Sequence, residues 1–254
     1  MDVGKYSALK IRVFQTCRLR YRYQYLDKGT TAIKPRLRPA DTAGSLVHRV
    51  LCDFYTKLAP DQRTESSLIE LFESGWSDLS PGYHRVPGVE QFRESSLKQL
   101  RNFIQFFQPV GEPFLVEPYI QVEVAQGVTL FGRLDRLDEN ADGSLHVIDY
   151  KGGAMPGDID SGQLLFYALM AEIKYERRVS RMSFWYLDDG STLTSEPSEL
   201  DKDGGRTELL RTIEEMERVT SLPPNVGPHC AGCPFLYACE VRGRVQERRI
   251  LEGW

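Results

Sequence analysis

LHVIDYK, residues 145–151, is the stretch of sequence on which the predicted fold depends. Its apolar, β-branched centre predicts a buried strand, and that strand ends on Asp149, Tyr150 and Lys151. Because side chains alternate between the two faces of a strand, Asp149 and Lys151 share one face and Tyr150 lies on the other. The stretch therefore predicts a carboxylate and an amine together at one end of a sheet.

A second strand is predicted immediately before it, over Val128–Leu137, and the turn-forming sequence NADG lies between the two at residues 140–143. If the two strands pair as a hairpin, Asp135 comes beside Asp149. Two carboxylates are suited to a hard divalent cation such as Mg²⁺ or Mn²⁺, and Lys151 would lie next to it. The structural alternative is a simple ion pair at the end of a strand.

The remaining sequence predicts an α/β fold in which a mixed central sheet is flanked by helices. A strand at 181–187 follows a predicted crossover helix, so it is expected to lie parallel to residues 145–151. No Gly-x-x-x-x-Gly-Lys-Ser/Thr run occurs, so the sequence predicts no P-loop motor. The other predicted elements are helices over 7–27, from Asp41 or Thr42 to about Leu58, and over about 64–79, 89–107, 161–175 and 207–220, with a strand over 115–125.

Composition indicates an ordinary globular protein, with 41% hydrophobic and 27% charged residues among 254. No apolar run approaches the roughly 20 residues of a membrane span, and no signal-peptide pattern is present, which predicts a cytoplasmic protein.

The net charge of −4 conceals an asymmetry, because residues 1–40 carry ten Lys or Arg against two Asp, a balance of +8 that leaves −12 elsewhere. The basic residues alternate with aromatic ones, a pattern suited to phosphate neutralisation and base stacking on DNA. The alternative is a solvated helix face over core aromatic residues. These aromatic residues are Tyr6, Phe14, Tyr21, Tyr23 and Tyr25.

Three of the five cysteines lie within ten residues of one another near the carboxyl end, as Cys230-x2-Cys233-x5-Cys239. In a cytoplasmic protein, clustered thiols are typical of metal or cluster ligands rather than of disulfides. Together with the distant Cys17 they supply four thiolates, enough for an iron–sulfur cluster or a structural Zn²⁺. Cys52 lies on the apolar face of a predicted helix and is expected to be simply buried.

Other candidate site residues are weaker when taken one at a time. His48 lies four residues after Gly44 on the predicted second helix, where a packed histidine is the common alternative to a ligand. Gln163 and Tyr167 lie at i and i+4 on the helix after the site, so they point the same way; a surface glutamine and a core tyrosine are their alternative. Glu117 is ambiguous, because the register of its strand is uncertain.

At these residues the sequence resembles the RecB-like nucleases of the PD-(D/E)XK superfamily. It looks like the branch with a four-cysteine iron–sulfur cluster, which includes the AddB nuclease domain and the CRISPR-adaptation nucleases. One departure is Arg18, where such proteins usually have a proline after the first cysteine. The matching motifs are Gly44-x3-His48, Gly132-x2-Asp135-Arg136-x-Asp138, Val147-Ile148-Asp149-Tyr150-Lys151, Gln163-x3-Tyr167, and the four cysteines 17, 230, 233 and 239.

The resemblance implies an αβββαβ nuclease core. It also implies one nuclease domain over 1–254, with a helical insertion at about 60–110, a core of about 41–58 plus 113–190, and a C-terminal cluster segment at 223–254. A 4Fe–4S cluster, with Zn²⁺ as the alternative occupant, would join the two chain ends as a structural staple. The implied metal ligands for Mg²⁺ or Mn²⁺ are His48, Asp135, Asp149 and the Tyr150 carbonyl. The implied catalytic residues are Asp135, Asp149 and Lys151. Gln163 and Tyr167 would contact DNA or support the site.

The expected function is a metal-dependent DNA nuclease, an exonuclease on single-stranded DNA or DNA ends, in DNA repair, recombination or CRISPR adaptation. The expected partners are DNA and either a separate helicase or CRISPR-adaptation proteins. The alternative is a non-catalytic DNA-binding or scaffold subunit of a helicase–nuclease complex. The intact Asp135, Asp149 and Lys151 argue against that alternative.

Overall fold

A computed structural model describes residues 4–27, 32–36, 38–107, 112–153, 155 and 162–254. Within these ranges no helix is both long and apolar enough to cross a membrane. The helices are α1 (Ala8–Thr16), α2 (Arg18–Tyr21), α3 (Pro39–Thr56), α4 (Glu65–Ser77), α5 (Val89–Asn102), α6 (Gly162–Tyr175), α7 (Glu199–Arg218) and α8 (Arg242–Glu252). The strands are β1 (Lys5–Tyr6), β2 (Leu115–Val116), β3 (Tyr119–Ala125), β4 (Val128–Arg133), β5 (Arg136–Glu139), β6 (Leu145–Lys151), β7 (Val179–Tyr186) and β8 (Thr192–Ser195).

A mixed five-stranded sheet in the order β2-β5-β6-β7-β8 forms the centre of the fold. β5 and β6 form the predicted antiparallel hairpin, and Arg136 pairs with Ile148 in its register. β7 runs parallel to β6 after the α6 crossover, as the sequence predicts, and β8 adds an antiparallel edge. The predicted mixed sheet flanked by helices is therefore confirmed.

Two of the predicted strands are wrong in their length, because each is divided between two sheets. Leu115–Ala125 separates into β2 and β3, and Val128–Leu137 separates into β4 and β5; β3 and β4 join β1 in a second, three-stranded sheet. The break occurs where Glu117 adopts a left-handed backbone, with a φ of 51°, immediately before Pro118. The Glu117 amide donates to the carbonyl of Asp135 at 2.9 Å, so both chains bend at the same level.

The helix boundaries also differ from the predictions, for local reasons. The predicted helix over 7–27 is interrupted at Cys17, whose extended backbone separates α1 from α2, and it ends in a π-helical turn at Arg22–Leu26. α3 begins earlier than predicted, with Pro39 at its first position, a placement that the fixed φ of proline favours. The predicted first residue of α6, Ser161, lies outside the described residues.

The predicted helix over 207–220 begins eight residues earlier, at Glu199, in α7. Gly204 and Gly205 disfavour helix, which is why the sequence suggests a later start. Ser198 caps the earlier start by accepting from the amide of Asp201, whose carboxylate accepts from the Ser198 amide in return. A Cβ at Gly205 would lie 3.2 Å from Leu165, so the glycine permits close packing of α7 on α6.

The two faces of the five-stranded sheet are covered by different helices, each with its own core. On one face, Leu137, Val147 and Phe184 belong to a core that includes α1, α6 and α7. On the other face, Ile148 and Tyr150 join the core of α3, α4 and α5. Successive residues of β6 thus face opposite cores, and the end of β6 lies between helices α3 and α6.

Candidate active site

The end of β6 holds a closed set of contacts among Asp149, Lys151 and Gln163. The Asp149 side chain is buried, with 5% of its surface exposed, and its Oδ2 lies 2.6 Å from Lys151 Nζ. Lys151 Nζ donates to Gln163 Oε1 at 2.9 Å, and Gln163 Nε2 donates to Asp149 Oδ1 at 2.8 Å. Within the part of the chain that the structure describes, Asp149 Oδ2 is thus compensated by the Lys151 ammonium alone, and Asp149 Oδ1 by the Gln163 amide.

Asp135 immediately precedes β5 and lies one residue beyond the Arg136–Ile148 pair of the hairpin, and so beside Asp149. Its Oδ2 accepts a hydrogen bond of 2.7 Å from the Tyr150 amide, and its Oδ1 lies 3.0 Å from Nδ1 of His48 on α3. The amide and the carbonyl of one strand residue point to the same side of the strand. Tyr150 lies beyond the last residue pair between β5 and β6, and its carbonyl therefore points, like its amide, towards Asp135.

Glu117 is the site residue that the sequence left ambiguous. The structure brings one ligand atom each of His48, Glu117 and Asp135 within 4.8 Å of one another. Glu117 is held there by the left-handed backbone at the break between β2 and β3, a strained conformation for a residue other than glycine. The signal in the sequence was an acidic residue directly before Pro118, but only the tertiary fold shows which way it points.

Tyr167 and Gln163 lie next to each other on α6, as their spacing predicts. The Tyr167 hydroxyl accepts a hydrogen bond of 3.4 Å from Gln163, and its ring faces Gly132 on β4. A Cβ at Gly132 would lie 3.3 Å from that ring, so a side chain there would displace the tyrosine. Burial raises the pKa of Tyr167 to about 12, and it is a neutral hydroxyl at physiological pH.

The electrostatics of the site favour added positive charge. Burial lowers the pKa of His48, but Asp135, Asp149 and Glu117 outweigh burial and raise it to about 9. Burial and the charge of Asp135 raise the pKa of Glu117 to about 7. The same two causes raise the pKa of Asp149 to about 6, although Lys151 opposes them. The carboxylates are therefore poorly compensated, and a cation would compete with protons for them.

These donors fit a divalent cation. One imidazole, several carboxylate oxygens and a backbone carbonyl suit a hard divalent cation. Among the described residues, only His48, Glu117 and Asp135 bring three ligand atoms this close together.

The four predicted cluster cysteines border one small cavity between the two ends of the chain. Cys17 precedes α2, and Cys230, Cys233 and Cys239 lie on the turns before α8. Leu19, Tyr23 and Phe235 form the apolar surroundings. All five cysteines are free thiols, and burial raises the pKa of the Cys233 and Cys239 thiols. Cys52 is only partly buried, on α3.

The aromatic residues of the basic amino-terminal segment are mostly core residues. Tyr6, Phe14, Tyr21 and Tyr23 are each at most 5% exposed, and only Tyr25 remains partly accessible. The interleaved pattern thus reflects helix packing rather than a row of stacking platforms. Some of the charge is also neutralised, since Arg18 pairs with an acidic residue of α7, Glu215.

A model of the PD-(D/E)XK nuclease superfamily matches residues 5–240, which include every residue of the candidate active site. The chain belongs to the PD-(D/E)XK nuclease superfamily. Nucleases of this superfamily use divalent metals, and the His48, Glu117 and Asp135 group of this PD-(D/E)XK chain could bind one.

A solved structure shows a similar fold at low sequence identity. The crystal structure of an exonuclease candidate from Eubacterium rectale superposes with a TM-score of 0.51 at 12% identity, over 85% of this PD-(D/E)XK chain and 80% of that one. A structure named SSO0001 covers 94% of this chain and 86% of its own at 13% identity, but its TM-score of 0.42 supports no conclusion. No curated protein matches this chain in sequence.

Proposed function

We propose that this nuclease hydrolyses DNA in a metal-dependent reaction, as an exonuclease on single-stranded DNA or DNA ends. The observation that supports the proposal most is the group of His48, Glu117 and Asp135, whose ligand atoms lie within 4.8 Å of one another beside the buried Asp149–Lys151 ion pair. Carboxylates held close together and away from water repel one another, so their arrangement favours a role in binding a cation.

The proposed ligands are His48, Asp135, Asp149 and the Tyr150 carbonyl, and the geometry adds Glu117 to the group. When bound, a divalent ion would neutralise charge on the scissile phosphate and lower the pKa of a water nucleophile.

The other residues hold the reacting groups in place. Asp149 and Gln163 fix the Lys151 ammonium at the mouth of the site, where it can orient the attacking water and stabilise charge that builds on the phosphate. Gln163 in turn is held by Asp149 and Tyr167, so the α6 pair supports the site and faces the DNA.

For Cys17, Cys230, Cys233 and Cys239 we propose a 4Fe–4S cluster, which would place the chain in the iron–sulfur branch with AddB and the CRISPR-adaptation nucleases. The four thiols border one cavity with apolar surroundings, a setting that suits a cluster in which each thiolate binds a different iron, and Zn²⁺ is the alternative occupant. The cluster would close a loop of more than two hundred residues, which constrains the unfolded chain.

The cluster proposal has a direct test. Protein purified without oxygen is expected to be brown, with a broad visible absorbance and about four iron atoms per chain; Cys233→Ser is expected to lose both. Colourless protein with one zinc per chain would replace the cluster by Zn²⁺.

We also propose a wider setting for this nuclease. Residues 1–254 would form one nuclease domain, with the helical insertion, core and C-terminal cluster segment at the boundaries given above. It would act in the cytoplasm with a separate helicase in DNA repair or recombination, or with CRISPR-adaptation proteins.

The experiment that tests the function is cleavage of end-labelled single- and double-stranded DNA with Mg²⁺ or Mn²⁺, compared with EDTA. We expect metal-dependent shortening of the single strand by the wild type and none by Asp149→Ala or Lys151→Ala. A matched control is Asp203→Ala, because Asp203 is an exposed carboxylate on α7. Wild-type cleavage by Asp149→Ala would refute the assignment, and tight DNA binding without cleavage would favour the non-catalytic subunit.

A further inference from the structure

An elongated cavity of about 300 Å³ runs between α1, α6 and α7, beside the candidate site. Gln163 and Tyr167 border both the cavity and the site, so the two adjoin one another. The cavity extends along α6 from Gly162 to Glu172, a distance of roughly 15 Å at the rise of an α-helix. Its size is at the lower end of pockets that enclose small organic groups.

The walls of this cavity are largely apolar. Leu165 and Leu169 lie one turn apart on α6, Leu209 faces them from α7, and Leu9 on α1 is 45% exposed at the edge. Such a surface in contact with water is unfavourable unless something covers it.

The far end of the cavity is electrically neutral. Glu172 forms an ion pair of 2.6 Å with Lys202 and accepts a hydrogen bond of 2.7 Å from the Val179 amide. Neither charge is therefore directed at a ligand, and the neutral end closes an apolar slot.

The end near the site is positive. Arg12 is exposed on α1 and lines the cavity, and its charge acts on the Tyr167 hydroxyl at the shared border. Arg206 lines the cavity from α7, one turn after Lys202, and donates to the Val124 carbonyl at 2.8 Å, while Glu208, also in the lining, pairs with Arg211 at 2.6 Å. An apolar slot with the Arg12 cation at its mouth matches a nucleotide, whose base is planar and apolar on its faces and whose phosphate is anionic.

We propose that this cavity, the base slot, binds one unstacked base of a single-stranded DNA substrate while Arg12 contacts the neighbouring phosphate. The proposal rests on the proposed nuclease function and gives it a reason to prefer single strands. A base within a duplex is stacked on both sides and cannot enter a slot between helices without being flipped out. The shared border at Gln163 and Tyr167 places the bound nucleotide next to the scissile phosphate.

The test is an abasic scan of a single-stranded oligonucleotide, read by fluorescence anisotropy. An Asp149→Asn background keeps the DNA intact, and one base at a time is removed along the strand. We expect base removal at one position to weaken binding about tenfold and removal elsewhere to have little effect. A flat scan by protein that binds the intact strand would overturn the base slot and leave the nuclease proposal standing.

Two variants tie the sensitive position to the cavity. Leu169→Glu is expected to weaken binding of the intact strand about tenfold and to abolish the sensitivity to base removal. Ile173→Glu, the same charge change at an exposed position of α6 outside the cavity, is expected to change affinity less than twofold. Equal losses for both variants would overturn the proposal.

A surface variant covers the case in which Leu169→Glu does not fold. Arg12→Ala is expected to weaken binding severalfold and to reduce the salt dependence by about one phosphate contact, whereas Arg85→Ala, at an exposed arginine beside α4 and α5, should do neither. If the wild type binds no oligonucleotide, the base slot is also rejected. Cleavage of DNA in the absence of metal would instead reject the proposed metal-dependent function alone. The base slot would not be affected, because the binding scan does not depend on metal.

Discussion

Replacing Asp149 by asparagine is expected to stabilise the metal-free protein and, at the same time, to abolish its response to metal. The Asp149 side chain is 5% exposed, lies beside Asp135, and among the described residues has only the partly exposed Lys151 as a charged partner at 2.6 Å. Asparagine has nearly the same size and can still contact Gln163, but it has no charge to desolvate. The variant therefore removes the electrostatic cost without creating a cavity.

The magnitude follows from the pKa of Asp149, which burial and Asp135 raise to about 6 from an ordinary value of about 3.9. Because the folded protein holds this proton more tightly, the stabilising contribution is present below about pH 4 and is lost as the pH rises through 6. A difference of two pKa units corresponds to about 3 kcal/mol at pH 7. Loss of the favourable contact with Lys151 reduces the expected gain, so we expect about 1–3 kcal/mol.

The assay is urea unfolding followed by circular dichroism at pH 7, first in EDTA and then with Mn²⁺. Metal at a hundred times its Kd should add about 2.7 kcal/mol to the wild type, since it binds only the folded state, and nothing to Asp149→Asn. Asp203→Asn, a matched change at an exposed carboxylate, should behave like the wild type in both conditions. A less stable Asp149→Asn in EDTA, or an undiminished response to Mn²⁺, would refute the reasoning.

Three further predictions concern neighbouring residues. Lys151→Met should keep the Mn²⁺ stabilisation of the wild type but lose cleavage, because the amine acts on the phosphate and is not a ligand; loss of both would contradict this. Arg136 is buried and donates to Asp138 at 2.6 Å. Arg136→Met should therefore lower the free energy of unfolding in urea by about 3–5 kcal/mol, because it leaves the Asp138 charge without its partner. A second change, Asp138→Leu, should recover part of this loss, and no recovery would argue against a buried charge as the cause. Burial, followed by the charge of Arg181, lowers the pKa of His146 to about 4. The stabilising contribution of this histidine is therefore present above pH 6.5 and is lost as the pH falls towards 4. Between pH 7 and pH 5 the free energy of unfolding of the wild type should fall by about 2 kcal/mol more than that of His146→Asn, and equal losses would exclude this histidine as the cause.

The part of the fold that the sequence predicts well is set by local rules. Alternation along LHVIDYK and the turn at 140–143 are enough to pair the hairpin and to place Asp135 opposite Asp149. The spacing of Gln163 and Tyr167 likewise fixes their shared helix face. In both cases a contact depends on periodicity over a few residues, which the sequence shows directly.

The part that it misses is decided by contacts between distant segments. Val128–Leu137 contains no proline that would mark a break, and only the strand pairing and the hydrogen bond from the Glu117 amide to the Asp135 carbonyl show that it serves two sheets. Glu117 enters the site through the same bend. The tyrosines of the basic segment could not be assigned to core or surface either, because Tyr6 and Tyr21 are buried in the core that includes α6 and α7, and Tyr23 is buried against Phe235.

The most direct measurement of the central claim is an anomalous difference map from crystals grown with Mn²⁺. We predict one strong peak at the end of β6, within bonding distance of His48, Asp135 and Asp149 and a few ångströms from Lys151 Nζ. A peak elsewhere in the molecule, or none at these residues under conditions that support cleavage, would contradict the account.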